Sequence, residues 1–98
     1  MEINKTFNEG TLFIGLKGRL DTITAPSLEN ELNDSLPGVT KLILDCAALE
    51  YVSSAGLRVI LAVQKVMNRQ GKMIVKNVND TIMEVFEITG FSDLLTIE

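Results

Sequence analysis

The sequence predicts an α/β fold, a mixed and mostly parallel sheet of four to five strands with three to four helices. The expected order is strand, strand, helix, strand, helix, strand, helix, with a last turn of helix and a short strand after it. Three observations carry this. Two N-terminal segments alternate apolar and polar residues around Asn8-Glu9-Gly10. Two later runs, Leu42-Ile43-Leu44 and Met73-Ile74-Val75, are apolar without alternation. A long segment with helical periodicity separates those runs, as a crossover between parallel strands requires.

In the first segment Ile3, Lys5 and Phe7 alternate with Glu2, Asn4 and Thr6, and in the second Leu12, Ile14 and Leu16 alternate with Thr11, Phe13 and Lys17. A short connection ending in glycine makes these an antiparallel hairpin. The chain is expected to leave the second strand between Gly18 and Ile23. Thr24 then begins a helix with Pro26 in its first turn, where a missing N–H is harmless. Leu28, Leu32 and Leu36 form a narrow apolar stripe, and Pro37-Gly38 ends the helix. A strand follows over Val39 to Asp45, and another over Lys72 to Lys76. Their unbroken apolar runs predict strands covered on both faces.

Between them the central helix runs from Ser54 to Gln70 and is closed by Gly71. Leu57, Val59, Ile60, Leu61, Val63, Val66 and Met67 cover more than half its circumference, which predicts a largely buried helix. Arg58, Ala62, Lys65 and Arg69 form the remaining face, a cationic strip read as solvated surface. Asn77-Val78-Asn79 caps a further helix from about Asp80 to Thr89, with Ile82, Val85 and Phe86 inward and Gly90 as its stop. Ser92-Asp93 starts a short turn of helix, and Leu95-Thr96-Ile97 adds a last short strand. Residues 1–98 form a single domain.

Composition removes several function classes. The chain has 98 residues, 46% of them apolar, enough for one core. A net charge of −4 argues against nucleic acid held on a basic surface. Neither a membrane span nor a signal peptide is present in the apolar pattern, so a cytoplasmic protein is expected. One cysteine, Cys46, excludes an internal disulfide, and without histidine no zinc or Cys-His site can be built. Cys46 is expected to be a partly buried residue just after a strand.

Function concentrates at Tyr51-Val52-Ser53-Ser54-Ala55-Gly56-Leu57, where a loop after the third strand enters the central helix. Ser53 is placed at the N-cap. Ser54 becomes the first helical residue, its hydroxyl outward beside free amides and the positive end of the helix dipole. Gly56 is unfavourable in a helix by about 1 kcal/mol, so it serves either the approach of another molecule or tight packing on a neighbouring loop. With right-handed crossovers, Asp21, Asp45 and Ser54 are expected on one rim of the sheet. Two carboxylates near a serine could suit acid–base chemistry, but no base stands ready to activate the hydroxyl, so no enzyme is expected.

The chain resembles the anti-sigma factor antagonists, single-domain members of the STAS superfamily. The resemblance spans Gly18-Arg19-Leu20-Asp21 with Thr24-Ala25, Leu42-Ile43-Leu44-Asp45 with Leu49 and Tyr51-Val52, Ser54-Ala55-Gly56-Leu57, and Val85-Phe86-Glu87-Ile88-Thr89-Gly90-Phe91. The family pattern at the central loop is Asp-Ser-Ser-Gly or Asp-Ser-Thr-Gly. Aligned on Gly56, this chain has Ser53 at the acidic position, Ser54 at the first hydroxyl position and Ala55 at the second.

The resemblance implies the STAS fold. It also implies a phosphorylation site at Ser54, with Ser53 as second choice, and a partner-binding surface of Asp21, Thr24, Ser53, Ser54, Ala55, Gly56, Leu57 and Arg58. The implied partners are an anti-sigma factor that is also a serine kinase, using its own ATP, and a PP2C-type phosphatase. The chain itself needs no cofactor and is expected as a monomer or weak dimer. The alternative is a STAS module that is never phosphorylated and docks in a larger signalling or lipid-transport assembly, a reading favoured by Ser53 at the acidic position.

Overall fold

A computed structural model describes all residues, Met1–Glu98. Strands β1 (Glu2–Asn8) and β2 (Thr11–Leu20) form the expected hairpin. They are followed by helix α1 (Ala25–Ser35), strand β3 (Lys41–Val52), helix α2 (Ser54–Gln70), strand β4 (Lys72–Lys76) and helix α3 (Asp80–Thr89). A single 3-10 turn spans Phe91–Asp93. The sheet order is β1-β2-β3-β4, with β1 antiparallel to β2 and the other neighbours parallel. The last expected strand is reduced to one parallel bridge between Ile97 and Val75.

One core holds the layers together. Leu12, Ile14 and Leu16 of β2, Leu42, Leu44 and Cys46 of β3, and Met73 and Val75 of β4 share a cluster with the buried side chains of all three helices. From α1 come Ala25, Leu28 and Leu32, from α2 chiefly Leu57, Ile60 and Met67, and from α3 Ile82 and Phe86. The other face of the sheet carries Phe13, Ile43 and Ile74 in one transverse row, outside that cluster. For β3, where Ile43 stays half-buried between Leu42 and Leu44, the expectation of a strand covered on both faces is corrected, since the helices cover one face only. Ile74 is nonetheless only 5% exposed. Its flanking residues on β4, Lys72 and Lys76, have alkyl stems long enough to cover apolar neighbours while their ammonium groups stay in water.

Three further expectations change. Strand β3 does not stop at Asp45 but continues through Val52, pairing with β2 across two register shifts. Those irregularities let the strand keep pairing while its burial pattern passes from every second residue to every third. Cys46 consequently lies within the strand and is fully buried rather than following it. Finally, α2 is amphipathic rather than largely buried. Val66 is 39% exposed, Leu61 is half-buried, and Gln64 takes an inward position instead. The helix packs on one face of the sheet and on α1, which leaves its other side free.

Helix termini follow local chemistry. The Ser53 hydroxyl accepts from the Gly56 amide at 3.3 Å, and the Asn79 side chain accepts from the Ile82 amide at 2.9 Å. Gly71 ends α2 where a Cβ would overlap the Thr40 carbonyl, so no larger residue fits there without moving the backbone.

Candidate functional site

The site is built where β2 and β3 end together. Leu20 pairs with Val52, and the Ser53 amide donates to the Leu20 carbonyl at 2.8 Å. That bond ties the start of α2 to the end of β2. It places Ser54 on the same rim as the β2–α1 loop. Gly56 lies beneath, buried against Leu20: a Cβ there would stand 2.6 Å from the Leu20 Cγ and 2.9 Å from its carbonyl oxygen. Of the two reasons expected for this glycine, tight packing is the one observed.

The β2–α1 loop is held by its own polar groups. Asp21 Oδ1 accepts from the Ile23 and Thr24 amides, both at 3.0 Å, and from the Thr24 hydroxyl at 3.2 Å. The one Thr24 hydroxyl proton is shared between that carboxylate and the Arg19 carbonyl, the shorter partner at 2.7 Å, while its oxygen accepts from the Asp21 amide at 2.9 Å. With that oxygen engaged backwards, Thr24 gives α1 no side-chain cap. The Thr24 amide bond is the main cause holding the Asp21 carboxyl below its ordinary pKa, with smaller help from Ile23, the Thr24 hydroxyl and the Arg19 charge, against some desolvation. Asp21 is a positioning residue, its carboxylate aimed at the loop.

The predicted residues divide by exposure. Ser54 and Arg58 are exposed and Ser53 and Ala55 half-buried, whereas Gly56 and Leu57 are buried and act by fixing the others in place. Between α1 and α2 runs a groove of about 210 Å³, with Thr22, Pro26 and Glu29 on one wall and Ala55, Arg58 and Val59 on the other. It lies below the roughly 300 Å³ at which small-molecule pockets begin. Asp45 does not join this rim. It pairs across the sheet with Gly15 and Lys76, and its Oδ1 accepts from the Ala47 amide and the Asn77 side chain. Val52 lies seven positions further along β3, roughly 23 Å of extended strand.

Two rim features were not foreseen. Ile23 is 86% exposed at the tip of the pinned loop, an apolar side chain offered to solvent. The Arg19 guanidinium stacks over the Tyr51 ring at 4.2 Å and lies 3.8 Å from Asp21. Arg19 and Tyr51 are cross-strand partners only because of the register shift at Gly18. The exposure of Ile23 was legible in part, since Thr-Ile-Thr after Asp21 falls outside every apolar period.

A STAS domain model matches residues 2–98. The chain belongs to the STAS family. Among relatives of this STAS domain, BtrV of Bordetella bronchiseptica, provisionally named an anti-sigma factor antagonist, is 36% identical over 91 residues, covering 91% of this chain and 78% of BtrV. The anti-sigma-B factor antagonist of Listeria monocytogenes is 31% identical, covering 87% of this chain and 76% of that protein. The fold matches the crystal structure of TM1081 from Thermotoga maritima, also provisionally named an anti-sigma factor antagonist, with a TM-score of 0.90 at 17% identity over 97% of this chain and 84% of TM1081. It matches the Bacillus cell fate determinant SpoIIAA in its phosphorylated form with a TM-score of 0.78 at 20% identity over 99% of this chain and 91% of SpoIIAA.

Proposed function

We propose that this STAS domain is an anti-sigma factor antagonist. Its unphosphorylated form binds an anti-sigma factor that is also a serine kinase and so frees a sigma factor. Phosphorylation of Ser54 switches that binding off. The observation that carries this reading is the exposed Ser54 hydroxyl at the start of α2, beside the pinned Asp21–Thr24 loop, in a chain 36% identical to BtrV. The names of BtrV and the Listeria protein support the antagonist role, and SpoIIAA, of the same fold, exists in a phosphorylated form.

In the switching step the Ser54 oxygen takes the γ-phosphoryl group from ATP on the kinase. The bond to the leaving ADP breaks and the hydroxyl proton passes to the kinase or solvent. A PP2C-type phosphatase returns the hydroxyl. This chain holds no cofactor and performs no chemistry of its own, and it works in the cytoplasm as a monomer or weak dimer. The phosphoryl group adds about −1.5 to −2 charges at neutral pH. At a helix N-terminus the fold tolerates that charge. The change is read at the interface, through repulsion and loss of fit.

The second reading, a constitutive docking module, is favoured by Ser53 at the family's acidic position. Its hydroxyl makes the N-cap bond that an aspartate would make, so the acid is dispensable for the fold. Purified Ser54→Ala and Ser54→Asp forms used as baits in extracts of the source cells separate the two. The switch requires that the Ala form retain a protein able to phosphorylate the wild type and that the Asp form lose it. Equal retention by both forms supports the docking module.

A further inference from the structure

The cationic strip of α2 is not explained by the switch as described. Arg58, Lys65 and Arg69 are exposed, and none takes part in an ion pair; the two pairs in the molecule are Lys5–Glu31 and Arg19–Asp21. Arg69 stands in the last turn, where a cation complements the negative end of the dipole. Arg58 has no such reason. It follows the first turn, near the positive end, and lies on the wall of the groove beside Ala55.

Arg58 comes four residues after Ser54, so the two side chains rise from one face of the helix a single turn apart. Helical side chains lean toward the N-terminus, and a long one covers the turn before its own Cα. From that position a guanidinium has the reach to turn back over the turn that carries Ser54. An anion placed four residues before a cation is the favourable order on a helix, and a guanidinium matches phosphate oxygens through paired N–H donors.

We propose that Arg58 holds the phosphoryl group of phosphorylated Ser54. Phosphorylation then acts twice, adding a dianion to the rim and withdrawing an exposed cation from the docking surface. This rests on Ser54 being the acceptor. The other charged group on the groove is Glu29 of α1, on the opposite wall, and the charged pair of the adjoining β2–α1 loop is Asp21 with Arg19. Glu29 is not within ion-pair distance of Arg58, and Asp21 is committed to its own loop and to Arg19. Arg58 is thus free to be captured.

The contact is tested with phosphoserine built into position 54 during synthesis, which requires no partner kinase. The phosphorus NMR signal is titrated at an ionic strength of about 0.1 M, where the screening length is about 10 Å, through the second ionisation of the phosphate, ordinarily at pH ~6. With Arg58 the midpoint is expected lower than in Arg58→Gln by roughly half a unit, about threefold in proton affinity. Arg58→Lys restores part of the shift. Lys65→Gln leaves it unchanged, because eleven residues of helix put that charge roughly 16 Å away, beyond the screening length at moderate salt.

The same midpoint in wild type and Arg58→Gln, with both folded, overturns the contact and leaves the switch standing. Equal shifts from Arg58→Gln and Lys65→Gln also overturn it, since they would report net charge alone. Loss of the switch itself is read separately, by the absence of phosphate on Ser54 in cells.

Discussion

Gly56 sits against Leu20 so closely that a Cβ would stand 2.6 Å from the Leu20 Cγ, while the Leu20 carbonyl accepts the Ser53 amide at 2.8 Å. One residue at the end of β2 thus sets both the height and the start of α2. Ser54 and the Asp21–Thr24 loop are neighbours for this reason. The first prediction follows from it. Ala at position 56 should gain about 1 kcal/mol of helix propensity but meet overpacking of about 1–3 kcal/mol, so Gly56→Ala is expected to destabilise modestly and Gly56→Val more. Urea unfolding measures both. A Gly56→Ala protein more stable than wild type would show that Leu20 yields freely.

The β2–α1 loop gives a pH dependence. The carboxyl of Asp21 is held below its ordinary 3.8, chiefly by the Thr24 amide. A group whose pKa is depressed on folding contributes stability above its unfolded pKa, and that contribution is lost as pH falls through the folded value. Wild type should therefore lose stability faster than Asp21→Asn as pH drops below about 4. Thermal melts at descending pH check this, and parallel curves would contradict it. Thr24→Val should keep the amide bond to Asp21 but remove the hydroxyl's bonds to the Arg19 carbonyl and the Asp21 amide, lowering stability at neutral pH by about 1 kcal/mol.

Burial in β3, with the neighbouring Asp45 charge adding to it, pushes the Cys46 thiol up to about 12. Its raised pKa means stability that is complete below the unfolded value near 9 and declines as pH climbs toward 12. At pH about 8 the native thiol should resist a thiol reagent and react only on unfolding, because the thiolate is the nucleophile. Rapid labelling of the folded protein would place Cys46 at the surface, against its position in the core.

Local signals made much of this legible. The bounds of α2 follow from Ser53 and Gly71 and those of α3 from Asn79 and Gly90, because caps act on backbone groups within a few residues. What failed were relations across the chain. Cys46-Ala47-Ala48-Leu49-Glu50-Tyr51 has no period of two, since the register shifts against Gly15–Arg19 alter which side chains face inward. The local pattern therefore ends β3 at Asp45 and predicts Asp45 on a rim that it does not reach. Gly56 was recognised as needing a reason, but its contact, Leu20, lies thirty-six residues earlier. The burial of Ile74 agrees with the unbroken apolar run around it, although no helix lies on that face.

Ser54→Asp should weaken partner binding while leaving the fold intact, and Ser54→Ala should stay bound. Ser54 is exposed in the first turn, where an added carboxylate is favourable by about 0.3–1 kcal/mol. Melting temperatures of the two variants, set beside their retention of the partner, read the effect. If the Asp form lost as much stability as affinity, the effect would arise from the fold rather than the interface.

The central claim is that Ser54 is a reversible phosphoacceptor. Tandem mass spectrometry of the protein recovered from its own cells, during growth and under stress, tests it most directly. A phosphate on Ser54 whose occupancy changes with condition is the predicted result. The absence of phosphate under every condition, with a partner still co-purifying, would contradict the switch and leave a constitutive docking module in its place.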